Sequence, residues 1–120
     1  MHRFKELKVW QKSVDLAVDI YKITKRFPSE EKFGLTSQAN RCGVSIPSNI
    51  AEGAGRNTDG EFNHFLGVAN GSSFELETQL IIANRLALIN EQDLTENTKK
   101  IGDVQNMIFG LQKSLKSDGN

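Results

Sequence analysis

One cysteine, Cys42, in 120 residues leaves no intramolecular disulfide to staple the chain. His2 and His64 are the only histidines, which argues against a Cys/His zinc centre. Only two prolines occur, and alternating aromatic or β-branched runs are scarce, so the pattern argues against sheet. No apolar run approaches the roughly 18 residues of a membrane span. Met1-His2-Arg3-Phe4-Lys5-Glu6 leads into mixed polar sequence rather than the apolar core of a signal peptide, so a cytoplasmic location is expected. Net charge is missing too, with 15 Lys+Arg against 15 Asp+Glu. What remains, 38% hydrophobic and 25% charged residues, is the composition of one ordinary globular domain over 1–120. So small a domain buries only about two thirds of its unfolded surface, and a partner or oligomer would cover more.

The apolar residues recur at steps of three and four, the period of a helix face. Leu7, Trp10, Val14, Ala17 and Tyr21 mark a first helix over roughly 5–26, closed by Phe27-Pro28. Ser29, with Glu30 and Glu31 behind it, is a plausible cap for a second helix over 30–54. Its stripe is Leu35, Ala39, Cys42, Ile46 and Ile50; Gly34 is placed to split off its first turn, and Gly53-Ala54-Gly55 to end it through a left-handed residue. Thr58-Asp59-Gly60-Glu61 has capping-box spacing, each side chain able to reach the other's backbone N–H. It opens a central helix over 59–89, with Phe62, Leu66, Ala69, Ser73, Leu76, Leu80, Ala83 and Ala87 in unbroken alternation. A weaker cap at Asn90 to Asp93 starts a fourth helix over 92–116, built on Ile101, Val104, Ile108, Leu111 and Leu115. The polar tail Ser117-Asp118-Gly119-Asn120 is expected to fray. Short connections between four such helices predict an all-α, antiparallel up-down-up-down four-helix bundle.

Two features exceed a simple bundle. The first helix carries a second stripe, Val9, Leu16, Ile20 and Ile23, and the third carries Phe74, Ile81 and Leu88 at intervals of seven. A second apolar face points either to a wide core arc or to a subunit seam; as a seam it comprises Leu16, Ile20, Phe74, Ile81 and Leu88, with Trp10, Leu76 and Leu80 left to hold the core. Gly67 and Gly71, four apart on the same helix, permit close backbone approach. Second, Pro47 falls inside the second helix, where its missing donor and ring predict a kink. Around it Arg41, Ser45, Ser48, Asn49, Glu52 and Arg56 form a polar stripe, with Glu75 and Gln79 as candidate hydrogen-bond partners for Arg41 or Asn49. The functional alternative for that cluster is a ligand pocket at the kink, or an enzyme site near Arg41, Asn49 and Glu52.

Several blocks of the chain resemble a known family. Phe4-Lys5-Glu6-Leu7-Lys8-Val9-Trp10-Gln11-Lys12, then Phe27-Pro28 and Glu31-Lys32-Phe33-Gly34-Leu35-Thr36-Ser37-Gln38, look like the opening of the bacterial 23S rRNA intervening sequence proteins. Val44-Ser45-Ile46-Pro47-Ser48-Asn49-Ile50-Ala51-Glu52-Gly53 resembles the family signature, and Gly71-Ser72 with Glu75-Leu76-Glu77-Thr78-Gln79-Leu80 its third-helix motif. The resemblance runs from about residue 4 to 115. It implies a four-helix bundle that assembles as a homopentamer, without a described activity. A related branch, the accessory variability determinants of diversity-generating retroelements, is strongly basic and binds reverse transcriptase and nucleic acid. This chain departs from that branch, with a pI near 6.7.

Nucleic-acid binding draws on concentrated positive charge. Residues 1–26 hold seven Lys/Arg against Glu6, Asp15 and Asp19, or +4, and residues 61–98 hold Arg85 against six acids, or −5. Arg3, Lys5, Lys8 and Lys12 are therefore the candidate phosphate contacts for RNA or DNA on a basic rim; the bland alternative is that the two segments cancel as neighbouring helices. Enzymatic signals are weak. Glu61 and His64 have the spacing of a di-iron pair, but no second pair accompanies them. Gly55 to Gly60 lacks the Lys-Ser/Thr of a P-loop, and neither Ser45 nor Ser48 has a convincing base. Cys42 reads as a small core residue. The expectation is a non-enzymatic, cofactor-free oligomeric scaffold, with a nucleic-acid accessory protein as the alternative.

Overall fold

Helical periodicity and side-chain caps divide the chain into α1 (Lys8–Thr24), α2 (Leu35–Ala54), α3 (Asp59–Arg85) and α4 (Glu91–Asp118), with short 3-10 turns at Phe4–Glu6 and Ser29–Glu31. The structure, a computed structural model, describes residues 1–118, and no strand occurs among them. Gly119 and Asn120, the end of the expected frayed tail, lie outside the described residues. Packing runs α1 on α2, α2 on α3, α3 on α4 and α4 back on α1, while the backbones of the diagonal pairs stay further apart, across the shared core. Short connections reverse the chain after each helix, giving an up-down-up-down bundle 48 Å long and 23 by 20 Å across.

Local chemistry sets the helix ends. The Thr58 hydroxyl accepts the Glu61 N–H at 3.1 Å to start α3. The other half of the box differs from expectation, because the Glu61 carboxylate takes the Thr58 hydroxyl at 3.3 Å instead of the Thr58 backbone N–H. Asn90 Oδ1 accepts the Asp93 N–H at 2.7 Å to start α4. α2 starts at Leu35, not residue 30: Ser29–Glu31 forms its own turn, Gly34 separates it, and the Glu31 carboxylate accepts the Leu35 N–H at 3.3 Å. α3 stops at Arg85 rather than 89. Ala87 takes a left-handed φ of 62°, its N–H reaches Asn84 O at 2.9 Å, and the Leu88 N–H reaches Ala83 O at 2.8 Å. That is a Schellman turn with alanine in the glycine position.

The turn corrects the seam at one residue. Leu88 lies beyond the helix and folds against the core, so it does not extend the row of Phe74 and Ile81. A larger correction concerns α1, where the core takes Val9, Ser13, Leu16, Ile20 and Ile23; of the expected stripe Ala17 is buried as read, and Tyr21 faces outward. Leu16 and Ile20, at 1% and 0% exposure, are core residues rather than seam residues. Leu7 and Trp10 only flank the core. The buried stripe is interrupted in sequence by a polar residue, and the Ser13 hydroxyl resolves the conflict by donating to the Trp10 carbonyl at 2.8 Å. Leu76 and Leu80 sit in the core as read. Pro47 is buried within α2, which continues through it. No glycine takes a positive φ among the described residues, so Gly53 does not end α2 as a left-handed residue. It is instead required for space: a Cβ there would lie 2.8 Å from Phe65 Cβ and 3.2 Å from Phe62 O.

Candidate interaction surfaces

Away from the core, α3 presents Gly67, Gly71, Phe74, Thr78 and Ile81 at steps of three and four along one side. Phe74 is 49% and Ile81 38% exposed. Val68 and Ile82, also exposed, border them. The five residues carry no charge; Glu75 flanks the row and Arg85 terminates it. Thr78 donates its hydroxyl to the Phe74 carbonyl at 2.9 Å, so that side chain leaves the row no free donor. A Cβ at Gly71 would meet nothing within 4 Å, and one at Gly67 only the Gln112 amide at 3.8 Å. Nothing within the chain therefore requires either glycine.

The signature residues near Pro47 do not converge as expected. Asn49 turns back on its own helix, donating to Ser45 O at 2.8 Å and Ser45 Oγ at 2.9 Å. Glu52 pairs with Arg56 at 3.1 Å on the surface. Glu75 and Gln79 meet Cys42 rather than Arg41 or Asn49: Gln79 Nε2 donates to Cys42 Sγ at 3.5 Å, and Glu75 Oε2 lies 4.0 Å from it. An open groove of about 370 Å³ between α2 and α3 gathers Arg41, Cys42, Ser45, Ser72, Glu75 and Gln79. Ser45 and Ser72 join across it at 2.8 Å, a contact that sequence reasoning missed because serines carry no periodic signal. Cys42 is half-buried rather than a core residue. Burial pushes its thiol pKa up, the Gln79 hydrogen bond opposes this, Glu75 adds to the rise and Arg41 counters it. The result is a neutral, weakly nucleophilic thiol at pH 7.

Of the basic residues, Arg3 pairs with Glu6 at 3.5 Å, whereas Lys5, Lys8 and Lys12 form no ion pair among the described residues. Lys8 and Lys12 edge a second groove, of about 460 Å³, between α1 and α4, floored by Leu16, Val104 and Met107. Asp15 and Asp103 share its edges, and Lys100 bridges to Asp19 at 2.8 Å across its far end. Sequence reasoning missed this groove because helix periodicity says nothing of how tightly two helices close. The alternative that residues 1–26 and 61–98 cancel as neighbouring helices holds only in part, since α1 packs on α4 but not on α3, which sits at the opposite corner. Arg26–Asp93 at 2.9 Å is the ion pair that joins the two oppositely charged segments among the described residues. Glu61 is held by Thr58 and, at 3.9 Å, by Arg56, while His64 stacks edge-on to Phe65. No group of three or more His, Cys, Asp or Glu gathers as a metal site among the described residues, and no helix is long and apolar enough to cross a membrane.

Comparison with known proteins adds a family. Residues 5–110 match the model of the 23S rRNA-intervening sequence protein. Among solved structures, the chain is similar to a protein of unknown function from the S23 ribosomal protein family of Bacteroides thetaiotaomicron. The two share 25% identity over 88% of this chain and 95% of that one, with a TM-score of 0.82. No curated protein matches the sequence.

Proposed function

Because the chain belongs to the 23S rRNA-intervening sequence protein family, we propose that it serves as a non-enzymatic, homo-oligomeric helical scaffold in the bacterial cytoplasm, with the outer side of α3 as its subunit seam. The observation that carries this reading is the uncharged row of Phe74 and Ile81, exposed beside two glycines that no neighbour in the chain requires. Burying a Phe or Ile side chain is worth roughly 1.5–3 kcal/mol, and glycines let a second backbone approach closely. The family resemblance supports a pentamer.

Size-exclusion chromatography with in-line light scattering tests it. The wild type is expected as a particle of several chains, five by the resemblance, and the double variant Phe74→Glu, Ile81→Glu as a monomer of unchanged helicity, because each glutamate would bury an unpaired charge at the seam. A monomeric wild type, or a double variant that assembles normally, removes the reading.

A second reading is supported by the three lysines without ion pairs, Lys5, Lys8 and Lys12. It makes the protein a nucleic-acid accessory whose rim holds phosphates of RNA or DNA, alone or with a reverse transcriptase. Its mark is nucleic acid co-eluting with the particle, and binding that falls steeply with salt and with Lys8→Ala, Lys12→Ala.

A further inference from the structure

Two surfaces of this chain complement each other and cannot meet within it, and we propose that they meet between copies: the outer row of α3 seats in the α1–α4 groove of the next subunit. The inference rests on the scaffold reading and names the surface that receives the seam. Both halves are built. The donor offers Phe74 and Ile81, two helical turns apart, and the acceptor is an open groove in which Met107 is the partly exposed apolar side chain, set over the enclosed core residues Leu16 and Val104 and edged by Lys8, Lys12 and Asp15. Charge supplies the match. Lys8, Lys12 and Asp15 on the groove edge have no ion-pair partner among the described residues, and neither have Glu75 and Arg85 beside the α3 row. α1 and α3 occupy diagonal corners, so the chain cannot join these groups itself.

The order of the charges fixes the direction of docking. Along α1, basic Lys8 and Lys12 precede acidic Asp15; along α3, acidic Glu75 precedes basic Arg85. At 1.5 Å per residue these spans are about 10 Å and about 15 Å, a difference that long Lys and Arg side chains bridge. Opposite charges meet at both ends only if α3 of one copy runs parallel to α1 of the next. In an up-down-up-down bundle α1 and α3 already point the same way, and a rotation axis along the bundle preserves that direction between copies. A two-fold axis across the bundle would reverse it and set Glu75 beside Asp15. Donor and acceptor also differ and face different directions, so each subunit needs two neighbours. Head-to-tail contacts of this kind close into a ring when the rotation between copies closes, and propagate as a filament when it does not.

Two variants test the docking without disturbing the core, since all four altered residues are exposed. Phe74→Glu, Ile81→Glu disables the donor, and Lys8→Glu, Lys12→Glu disables the acceptor; circular dichroism checks that each keeps its helices. Each alone is expected to be monomeric by light scattering. Mixed, they are expected to form a 1:1 dimer of twice the chain mass that grows no further, because one intact donor faces one intact acceptor. Adding Glu75→Lys to the acceptor variant is expected to restore part of its self-assembly. An acceptor variant that assembles like the wild type, beside a monomeric donor variant, overturns the docking and leaves the seam reading standing. Two monomeric variants that yield no dimer on mixing overturn the docking as well. A wild type that is itself monomeric removes both.

Discussion

Gly53 lies at the last turn of α2, where the helix passes within van der Waals reach of the start of α3, and a single methyl group would already collide there with Phe65 and with the Phe62 carbonyl. The collision involves backbone, which cannot swing aside as a side-chain tip can. Gly53→Ala is therefore expected to destabilise the fold by about 1–3 kcal/mol. Urea unfolding would show it as a lower midpoint at unchanged slope. An unaltered midpoint would mean that α2 and α3 part to admit the methyl. Sequence flagged this glycine for the wrong reason, backbone freedom instead of space, because a motif shows which residue is small but not what crowds it. Ser13 illustrates the converse. Its hydrogen bond to Trp10 hides a polar residue in the core, and the apolar pattern of α1 gave no sign of it.

At the scale of elements, the starts of α3 and α4 and the end of α2 were legible, whereas the start of α2 and the end of α3 were not. Thr58 and Asn90 announce α3 and α4 because a short polar side chain can accept a nearby backbone N–H. The end of α3 was hidden, since Ala87 continues the apolar alternation yet takes the left-handed conformation that alanine disfavours. The Schellman bonds and the contact of Leu88 with the core hold it there. Ala87→Gly is expected to relieve that strain and stabilise the protein by about 1 kcal/mol, a rise of several degrees in Tm. No rise, or a fall, in a thermal melt would mean that the larger backbone entropy of glycine in the unfolded chain outweighs the relief.

For the whole molecule, the distribution of charge matters more than its sum of zero. The basic end of α1 and the acidic flank of α3 stand on opposite corners, so much of their attraction is left for other molecules. If copies use it, assembly depends on ionic strength. Raising salt from about 0.1 M to about 1 M shortens the screening length from about 10 Å to about 3 Å. The self-association constant is then expected to weaken severalfold while helicity holds, as sedimentation equilibrium and circular dichroism would show. Association that is unchanged or strengthened by salt would assign the contact to the apolar row alone.

The sequence by itself determined the helices, their number and their antiparallel order, because periodicity, caps and short connections act within a few residues of each other. It also singled out Phe74 and Ile81, since the seven-residue interval keeps both on one side of α3. Only the tertiary structure decided which stripe of α1 turns inward. Both stripes satisfy the same period, and the choice fell to the one whose Leu16 and Ile20 the other helices enclose, with Ser13 made tolerable by a local bond. The structure likewise decided that Asn49 turns back on its own helix, that Cys42 faces Gln79, and that α1 and α4 leave a groove. These depend on how far apart packed helices come to rest, a sum over many side chains that no local pattern records.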